Sequence, residues 1–129
     1  MNQLGFAMGM QRRTKAFAVQ VIKFFVKLPK TEEARVVGRQ LLRSGTSVAA
    51  NYRAVCRAKS RADFISKMGT VVEETDETLL WLELLEEATV CANPMINSLK
   101  TETDELLRIF STSLNTAKNH SRTRAEVIH

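Results

Sequence analysis

Residues 95–117, MINSLKTETDELLRIFSTSLNTA, carry the clearest structural signal in the chain. Apolar or small side chains recur there at alternating intervals of three and four positions: Ile96, Leu99, Thr103, Leu106, Phe110, Leu114 and Ala117. This spacing places one stripe along one side of an α-helix, with polar residues opposite. A heptad-like stripe of this kind packs against other helices in a bundle. The segment therefore predicts a long helix beginning between Met95 and Asn97 in an all-α protein.

Two segments upstream have the same periodicity. Residues 14–28 predict a first helix, with Ile22 beside its core stripe, and Pro29 ends it because proline cannot continue a helix. A second helix is predicted over residues 32–58, with Thr31 as its N-cap.

The middle of this second helix is its weakest part. Residues 44–47, SGTS, are poor helix formers, and the glycine alone costs on the order of 1 kcal/mol, so a loop is the alternative. We favour a continuous helix because no proline interrupts it. In addition, Gly45, Ala49 and Ala50 would let another helix backbone approach closely.

A third helix is expected to begin after Ser60. Ser60 and Asp63 have the spacing of a capping box, and the helix should end near Cys91, before the stop signal at Pro94. Four amphipathic helices with short connections favour an antiparallel up-and-down bundle.

The chain is long enough for one domain with a core of its own. We assign the four-helix bundle to residues 14–118. Residues 1–13 are interpreted as a flexible N-terminal segment, and residues 119–129, which lack periodicity, as a loose C-terminal tail.

The charge is distributed unevenly along the sequence. The net charge is +5, but residues 1–68 hold 14 Lys and Arg against three acidic residues, whereas residues 69–110 hold two against ten. This pattern fits either solvated faces of opposite sign or a functional electrostatic surface.

The basic residues fall into rows with helical spacing. Arg35, Arg39 and Arg43 are four positions apart, and so are Arg53, Arg57 and Arg61. Successive members of a row would rise about 6 Å along a helix, a step close to the phosphate spacing of a single strand. We therefore expect binding to a nucleic-acid backbone through these residues and their basic neighbours: Arg12, Arg13, Lys15, Arg35, Arg39, Arg43, Arg53, Arg57, Lys59 and Arg61.

Residues 78–85 are apolar nearly all round the predicted third helix. Leu80, Trp81 and Leu84 point away from the inner stripe, and a helix that is apolar on two sides needs two partners. A wide core with Trp81 at its rim would explain the segment. We favour a subunit interface formed by Leu80, Trp81 and Leu84.

Nothing in the sequence indicates catalysis. The two histidines, His120 and His129, lie outside the predicted helices, so the acidic residues 73–77 have no histidine with which to form a metal site. No nucleophile has a base nearby, and no glycine-rich phosphate loop occurs. We expect neither enzyme activity nor a metal or cofactor.

The location of the protein is also constrained. No stretch reaches the roughly 18 apolar residues of a membrane span. The charges of the first residues follow the apolar stretch, the reverse of a signal peptide. The cytoplasm is the expected compartment.

Residues 41–54, LLRSGTSVAANYRA, resemble the central motif of a family of small bacterial four-helix-bundle proteins. These are encoded in intervening sequences within large-subunit ribosomal RNA genes. Relatives include the accessory variability protein of diversity-generating retroelements. The motif positions matched in this stretch are Ser47, Asn51 and Tyr52, and Ser60 and Phe64 continue the pattern beyond it. Ala54 stands where the family has an acidic residue, so a role of that carboxylate does not carry over.

The resemblance implies an assembly as well as a fold. Members form ring-shaped, pentameric homo-oligomers with a basic surface, and the retroelement relative binds a reverse transcriptase and nucleic acid. We expect a non-enzymatic homopentamer that contacts RNA or DNA, or a complex with a reverse transcriptase. The alternative is a structural or regulatory protein–protein module that binds no nucleic acid.

Overall fold

The computed structural model describes residues 3–88 and 90–128, so Met1, Asn2, Thr89 and His129 lie outside the described residues. It contains four helices within those ranges and no strand: α1 (Gln3–Val26), α2 (Glu32–Val55), α3 (Arg61–Glu87) and α4 (Met95–Ile128). The predicted all-α four-helix fold is confirmed, and so is the start of the last helix at Met95.

Consecutive helices pack side by side. α2 packs on α1 and α3, and α3 packs on α4, while α4 has a smaller contact with α1. α1 and α3 do not pack side by side and therefore lie diagonally across the bundle. The short connections make neighbours antiparallel, so α1 and α3 run in the same direction.

Two predicted N-caps form. The backbone N–H of Ala34 donates to Thr31 Oγ1 at 3.3 Å, and the N–H of Asp63 donates to Ser60 Oγ at 3.0 Å. The carboxylate of Asp63 reaches back to the backbone N–H of Lys59 at 3.0 Å. These bonds satisfy N–H groups that have no partner inside a helix.

The second helix is continuous through residues 44–47, because its small residues allow close packing on both sides. A Cβ at Gly45 would lie 2.9 Å from both Cγ atoms of Val21, so α1 and α2 approach too closely there for any side chain. On the other side of α2, Thr78 Oγ1 and Ser44 Oγ form a buried hydrogen bond of 2.8 Å to α3.

The core includes the α4 stripe that the sequence predicts. Every member of the α4 stripe, Ile96 to Ala117, is buried. Phe110 is fully buried and stacks on Tyr52 of α2, with ring centroids 5.4 Å apart. This ring pair ties together two helices that are not neighbours.

Several predicted helix boundaries are wrong. α1 begins at Gln3 rather than Thr14, and Met10, 5% exposed, already belongs to the core. Gly5 and Gly9 each cost about 1 kcal/mol in a helix, too little to end one that buries apolar surface. α4 continues beyond Lys118 to Ile128, because no proline or glycine interrupts it.

The other two errors lie at helix C-termini. α2 ends at Val55, with Cys56 as C-cap, rather than near Ala58. α3 ends at Glu87, four residues before Cys91. None of the described helices is long and apolar enough to cross a membrane.

Candidate nucleic-acid interface

Four of the predicted basic residues surround the connection between α2 and α3. Arg53, Arg57, Lys59 and Arg61 are all exposed there. Arg53 belongs to the last turn of α2, while Arg61 is the first residue of α3. We define these four residues as the basic end of the bundle.

This arrangement corrects the expectation that Arg53, Arg57 and Arg61 form one straight row on α2. The N–H of Arg57 donates to the carbonyl of Ala54 at 3.0 Å in a tight turn. Cys56 therefore ends the helix, and the Ser60 cap starts the next one. The row therefore bends around the end of the bundle.

A groove between α1 and α2 leads away from the basic end. Its volume is about 350 Å³, and its lining is Gln11, Lys15, Thr46, Ala49, Ala50 and Arg53. Lys15 and Arg53 supply a cation from each wall. The small Ala49 and Ala50 keep the floor low, and Arg12 is exposed nearby on α1.

Arg35 and Arg39 are exposed at the other end of α2. Eighteen residues separate Arg35 from Arg53, about 27 Å along the helix, and the two positions share a helix face because 18 residues make five full turns. One face of α2 thus carries cations at both of its ends.

Arg13 forms ion pairs within the bundle. Its Nε and Nη2 donate to Glu102 at 2.9 and 2.7 Å, and Nη2 lies 3.2 Å from Glu105. The hydrogen bond to Glu102 raises the pKa of the guanidinium above its ordinary value. This planar fork joins α1 to α4 across an open cleft of about 570 Å³.

Arg43 is also engaged within the chain. It pairs with Glu77 and, at 3.3 Å, with Glu74, both on α3. Arg13 and Arg43 are therefore the two members of the predicted basic set whose charge is neutralised locally. The other eight have no ion pair within the described ranges.

The acidic half of the sequence, residues 69–110, lies on α3 and α4, where Glu74 and Glu77 pair with Arg43. Outside that half, Glu32 and Glu33 lie in the first turn of α2, and Asp63 lies beside the basic end. A hydrogen bond from Lys67 and a second from the Lys59 backbone lower the pKa of the Asp63 carboxyl. Asp63 is thus charged and occupied with capping α3.

The motif residues mostly build the fold. Tyr52 is buried against Phe110, and burial raises the pKa of its phenol. Asn51 Nδ2 donates to the carbonyl of Ser47 at 2.9 Å, one turn back in α2. Ser60 caps α3, and Phe64 packs partly buried against the core. These motif residues therefore contribute to packing and capping.

The three predicted interface residues differ in exposure. Leu80 and Leu84 are 46% and 41% exposed on α3. Trp81 is partly buried and packs against the core, with its Nε1 buried and without a partner among the described atoms. Leu80 and Leu84 remain available for a partner, while Trp81 lies at the rim of the core.

An exposed apolar stripe on α1 is absent from the sequence-based site. Seven exposed residues recur at intervals of three or four, which places them on one face: Leu4, Met8, Arg12, Lys15, Val19, Ile22 and Val26. We call this face the α1 outer stripe. Ile22, which we expected beside the core, is 44% exposed. In the sequence, this stripe is indicated by a second set of three- and four-residue intervals along the same helix.

In the part of the chain that is described, no group of three or more His, Cys, Asp or Glu side chains is placed to hold a metal ion. Of the acidic residues 73–77, Glu74 and Glu77 pair with Arg43, while Glu73 and Asp76 are exposed.

The family model of the 23S rRNA-intervening sequence proteins matches residues 8–112. The chain belongs to this family. A crystal structure of a protein of unknown function from the S23 ribosomal protein family of Bacteroides thetaiotaomicron is similar, with 30% sequence identity and a TM-score of 0.76. The match covers 84% of this chain and 97% of that one. No curated protein matches the chain. Membership confirms the sequence-based resemblance and the bundle fold.

Proposed function

We propose that this protein is a non-enzymatic, homo-oligomeric module that binds the phosphate backbone of RNA. The observation that carries the proposal is the set of exposed basic residues without an acidic partner at the basic end and along α2. These charges stay in solvent, with no ion pair among the described residues. A partner with many phosphates would neutralise them and release counterions.

The expected mode of binding follows from the side chains present. The basic end contains no aromatic residue, and Tyr52, the closest in sequence, is buried. Base stacking therefore has no platform there. Contacts from arginine and lysine to phosphate read little sequence, so binding should be nearly independent of sequence and steeply weakened by salt.

Assembly would multiply these contacts. The pentameric ring implied by the resemblance would repeat the basic end on each subunit, and linked weak sites gain affinity through effective concentration. DNA would offer the same phosphates. A complex with a reverse transcriptase is a further proposal that rests on the retroelement relative alone.

The test compares two double charge reversals. Arg53→Glu with Arg57→Glu changes the basic end, whereas Lys118→Glu with Arg122→Glu changes two exposed cations of α4 by the same net charge. Binding of a labelled RNA is followed by fluorescence anisotropy from ~50 mM salt upward, with solution mass as a check on assembly.

The basic-end variant should lose more affinity than the α4 variant. Its slope of log affinity against log salt should fall by about 0.7 for each lost contact to a single strand. Equal losses would mean that only net charge matters. If the unaltered protein shows no binding at ~50 mM salt, the protein–protein module is the better account of the charge pattern.

A further inference from the structure

Two grooves flank α1, and their charges differ. The larger cleft, of about 570 Å³, lies against α4, and its cation, Arg13, is neutralised by Glu102 at 2.7 Å. The smaller groove, of about 350 Å³, lies against α2, and its lining includes Lys15 and Arg53 but no acidic residue. Volume alone would select the larger cleft as a binding site. Only the smaller groove, however, has a net positive charge.

The two cations of the smaller groove come from opposite walls. Lys15 is exposed on α1 and Arg53 is exposed on α2. Between them lie Ala49 and Ala50, whose short side chains leave the space between the two helices open. An anionic group in this space would lie between two positive charges and would reach both without displacing a side chain.

The length of the groove suits a short stretch of nucleic-acid backbone. Its α2 wall extends from Thr46 to Arg53, which is about 10 Å along the helix axis. Because a four-residue step of about 6 Å is already close to the phosphate spacing of a single strand, this length holds about two phosphates.

The polar side chains beside the cations fit the same ligand. The Gln11 amide can donate to a phosphate oxygen. The Thr46 hydroxyl donates to the carbonyl of Leu42 at 2.7 Å and keeps lone pairs that can accept from a ribose 2′-hydroxyl. The groove thus offers donors for phosphate and an acceptor for the group that distinguishes RNA from DNA.

One end of the groove opens onto the basic end. Arg53 belongs to both, and Arg57 follows it by four residues in the tight turn that ends α2. A strand that leaves the groove past Arg53 would next meet Arg57 and Lys59. The groove therefore continues the basic end along the side of the bundle.

The form of the groove favours a single strand over a duplex. Its walls are two adjacent helices, whose axes typically lie about 8–10 Å apart. A flexible strand can follow such a narrow path with its phosphates in the groove and its bases toward solvent. The backbones of a rigid duplex wind around its axis, so a duplex would cross the groove instead of following it. No aromatic residue lines the groove, so the bases find no stacking platform there.

We propose that the groove between α1 and α2 binds single-stranded RNA, with one phosphate held between Lys15 and Arg53. The inference deepens the proposed function and rests on it. It names the form of RNA and adds a site on the side of the bundle to the basic end. The protein then selects an unpaired strand irrespective of its base sequence.

The first experiment fills the groove without changing its charge. Ala50→Leu places a larger side chain in the groove. Ala16→Leu is the matched control, because Ala16 is also exposed but lines the larger cleft. Leucine is a good helix former, and circular dichroism and solution mass check fold and assembly. Anisotropy measures the binding of a labelled single-stranded RNA of about twelve nucleotides.

Ala50→Leu should lower the affinity for this strand by at least about fivefold at ~0.1 M salt, and Ala16→Leu should leave it unchanged. The magnitude is that of one phosphate contact. Such a contact contributes a slope of about 0.7 in log affinity against log salt, which is about fivefold between ~1 M and ~0.1 M salt.

The second experiment removes one charge at a time from α1. Lys15→Gln should lower the salt slope by about 0.7, because it removes one phosphate contact. Lys23→Gln removes an equal charge from an exposed position of α1 that does not line the groove. Its slope should equal that of the unaltered protein.

The third experiment compares two forms of the same RNA. The labelled strand is presented alone and annealed to its complement at equal salt. The unaltered protein should bind the single strand at least about tenfold more tightly than the duplex, and Ala50→Leu should reduce this preference.

The proposal is overturned if Ala50→Leu binds the single strand like the unaltered protein, if Lys15→Gln and Lys23→Gln change the salt slope equally, or if the duplex binds as tightly as the single strand. The proposed function still stands in these cases if Arg53→Glu with Arg57→Glu weakens RNA binding. If the unaltered protein binds neither form of RNA at ~50 mM salt, the proposed function and the groove site are both overturned.

Discussion

The seams on either side of α2 differ in kind from the seam between α1 and α4. Around α2 the helices approach closely, with no room for a side chain at Gly45 and a buried hydroxyl pair between Ser44 and Thr78. Between α1 and α4 a cleft of about 570 Å³ stays open, bridged by the fork from Arg13 to Glu102. Residues that weaken an isolated helix are thus used where packing is tightest, whereas the loosely packed α1–α4 seam is bridged by an ion pair.

The largest expected effect comes from Phe110, an α4 residue that is fully buried in the core. Phe110→Ala removes the ring stacked on Tyr52 and should lower the free energy of unfolding by about 3–5 kcal/mol. Chemical denaturation measures the change. A loss below about 1 kcal/mol would mean that the α4 stripe contributes far less to the core than its burial indicates.

Two glycine substitutions separate close packing from helix propensity. Gly45→Ala places a Cβ 2.9 Å from the Val21 methyl carbons and should destabilise the protein by about 1–3 kcal/mol. Gly69→Ala, where a Cβ meets nothing within 4 Å, should stabilise by up to about 1 kcal/mol. Stabilisation by both would show that α1 can move away from α2 at little cost.

The open seam should respond weakly and depend on salt. Arg13→Gln removes an ion pair whose side chains are about one-third exposed, so the loss should stay below about 1 kcal/mol and shrink as salt is added. Arg108→Gln, which removes a pair within α4 at 79% exposure of the arginine, should have almost no effect. A loss from Arg13→Gln that is unaffected by salt would point to packing of the arginine stem instead.

The smallest expected effect concerns the cap beside the tightly packed α2–α3 seam. The pKa of Asp63 is lowered by Lys67 and the Lys59 backbone. Its stabilisation is therefore present above the ordinary carboxyl pKa of about 4 and is lost as pH falls through the lowered value. Asp63→Asn should lower the melting temperature slightly at pH 6, and the difference from the unaltered protein should shrink as pH falls below the ordinary carboxyl pKa. A difference that persists at low pH would mean that the carboxylate charge is not the cause.

Much of the fold could be predicted because local signals and core stripes agree. Thr31 and Ser60 are strong caps, and the spacing from Ile96 to Ala117 leaves one helix face for the core. For the segment from Ser44 to Ser47, the sequence was compatible with either a continuous helix or a loop. α2 is continuous there because Val21 and Thr78 pack closely against it. The small residues of the segment permit this close packing, so the sequence alone indicates it.

The candidate site was less accessible to sequence reasoning. The fork from Arg13 to Glu102 joins residues 89 positions apart, so neutralisation of Arg13 depends on packing that no local pattern encodes. Arg57 does not lie on the predicted row because α2 ends before it, with Cys56 as C-cap. A cysteine is a weak sequence signal for the end of a helix. The α1 outer stripe was not predicted because the core stripe of the same helix has the same periodicity. Ile22 was therefore placed beside the core.

The single tryptophan of the chain provides an intrinsic fluorescent probe of the α3 surface. The Trp81 indole is partly buried and its N–H has no hydrogen-bond partner within the described structure, and it is next in sequence to Leu80. Its fluorescence should therefore be emitted at shorter wavelength in the folded chain than in denaturant. Because no other indole contributes, any change of that emission on dilution reports on this one face of the protein without a label.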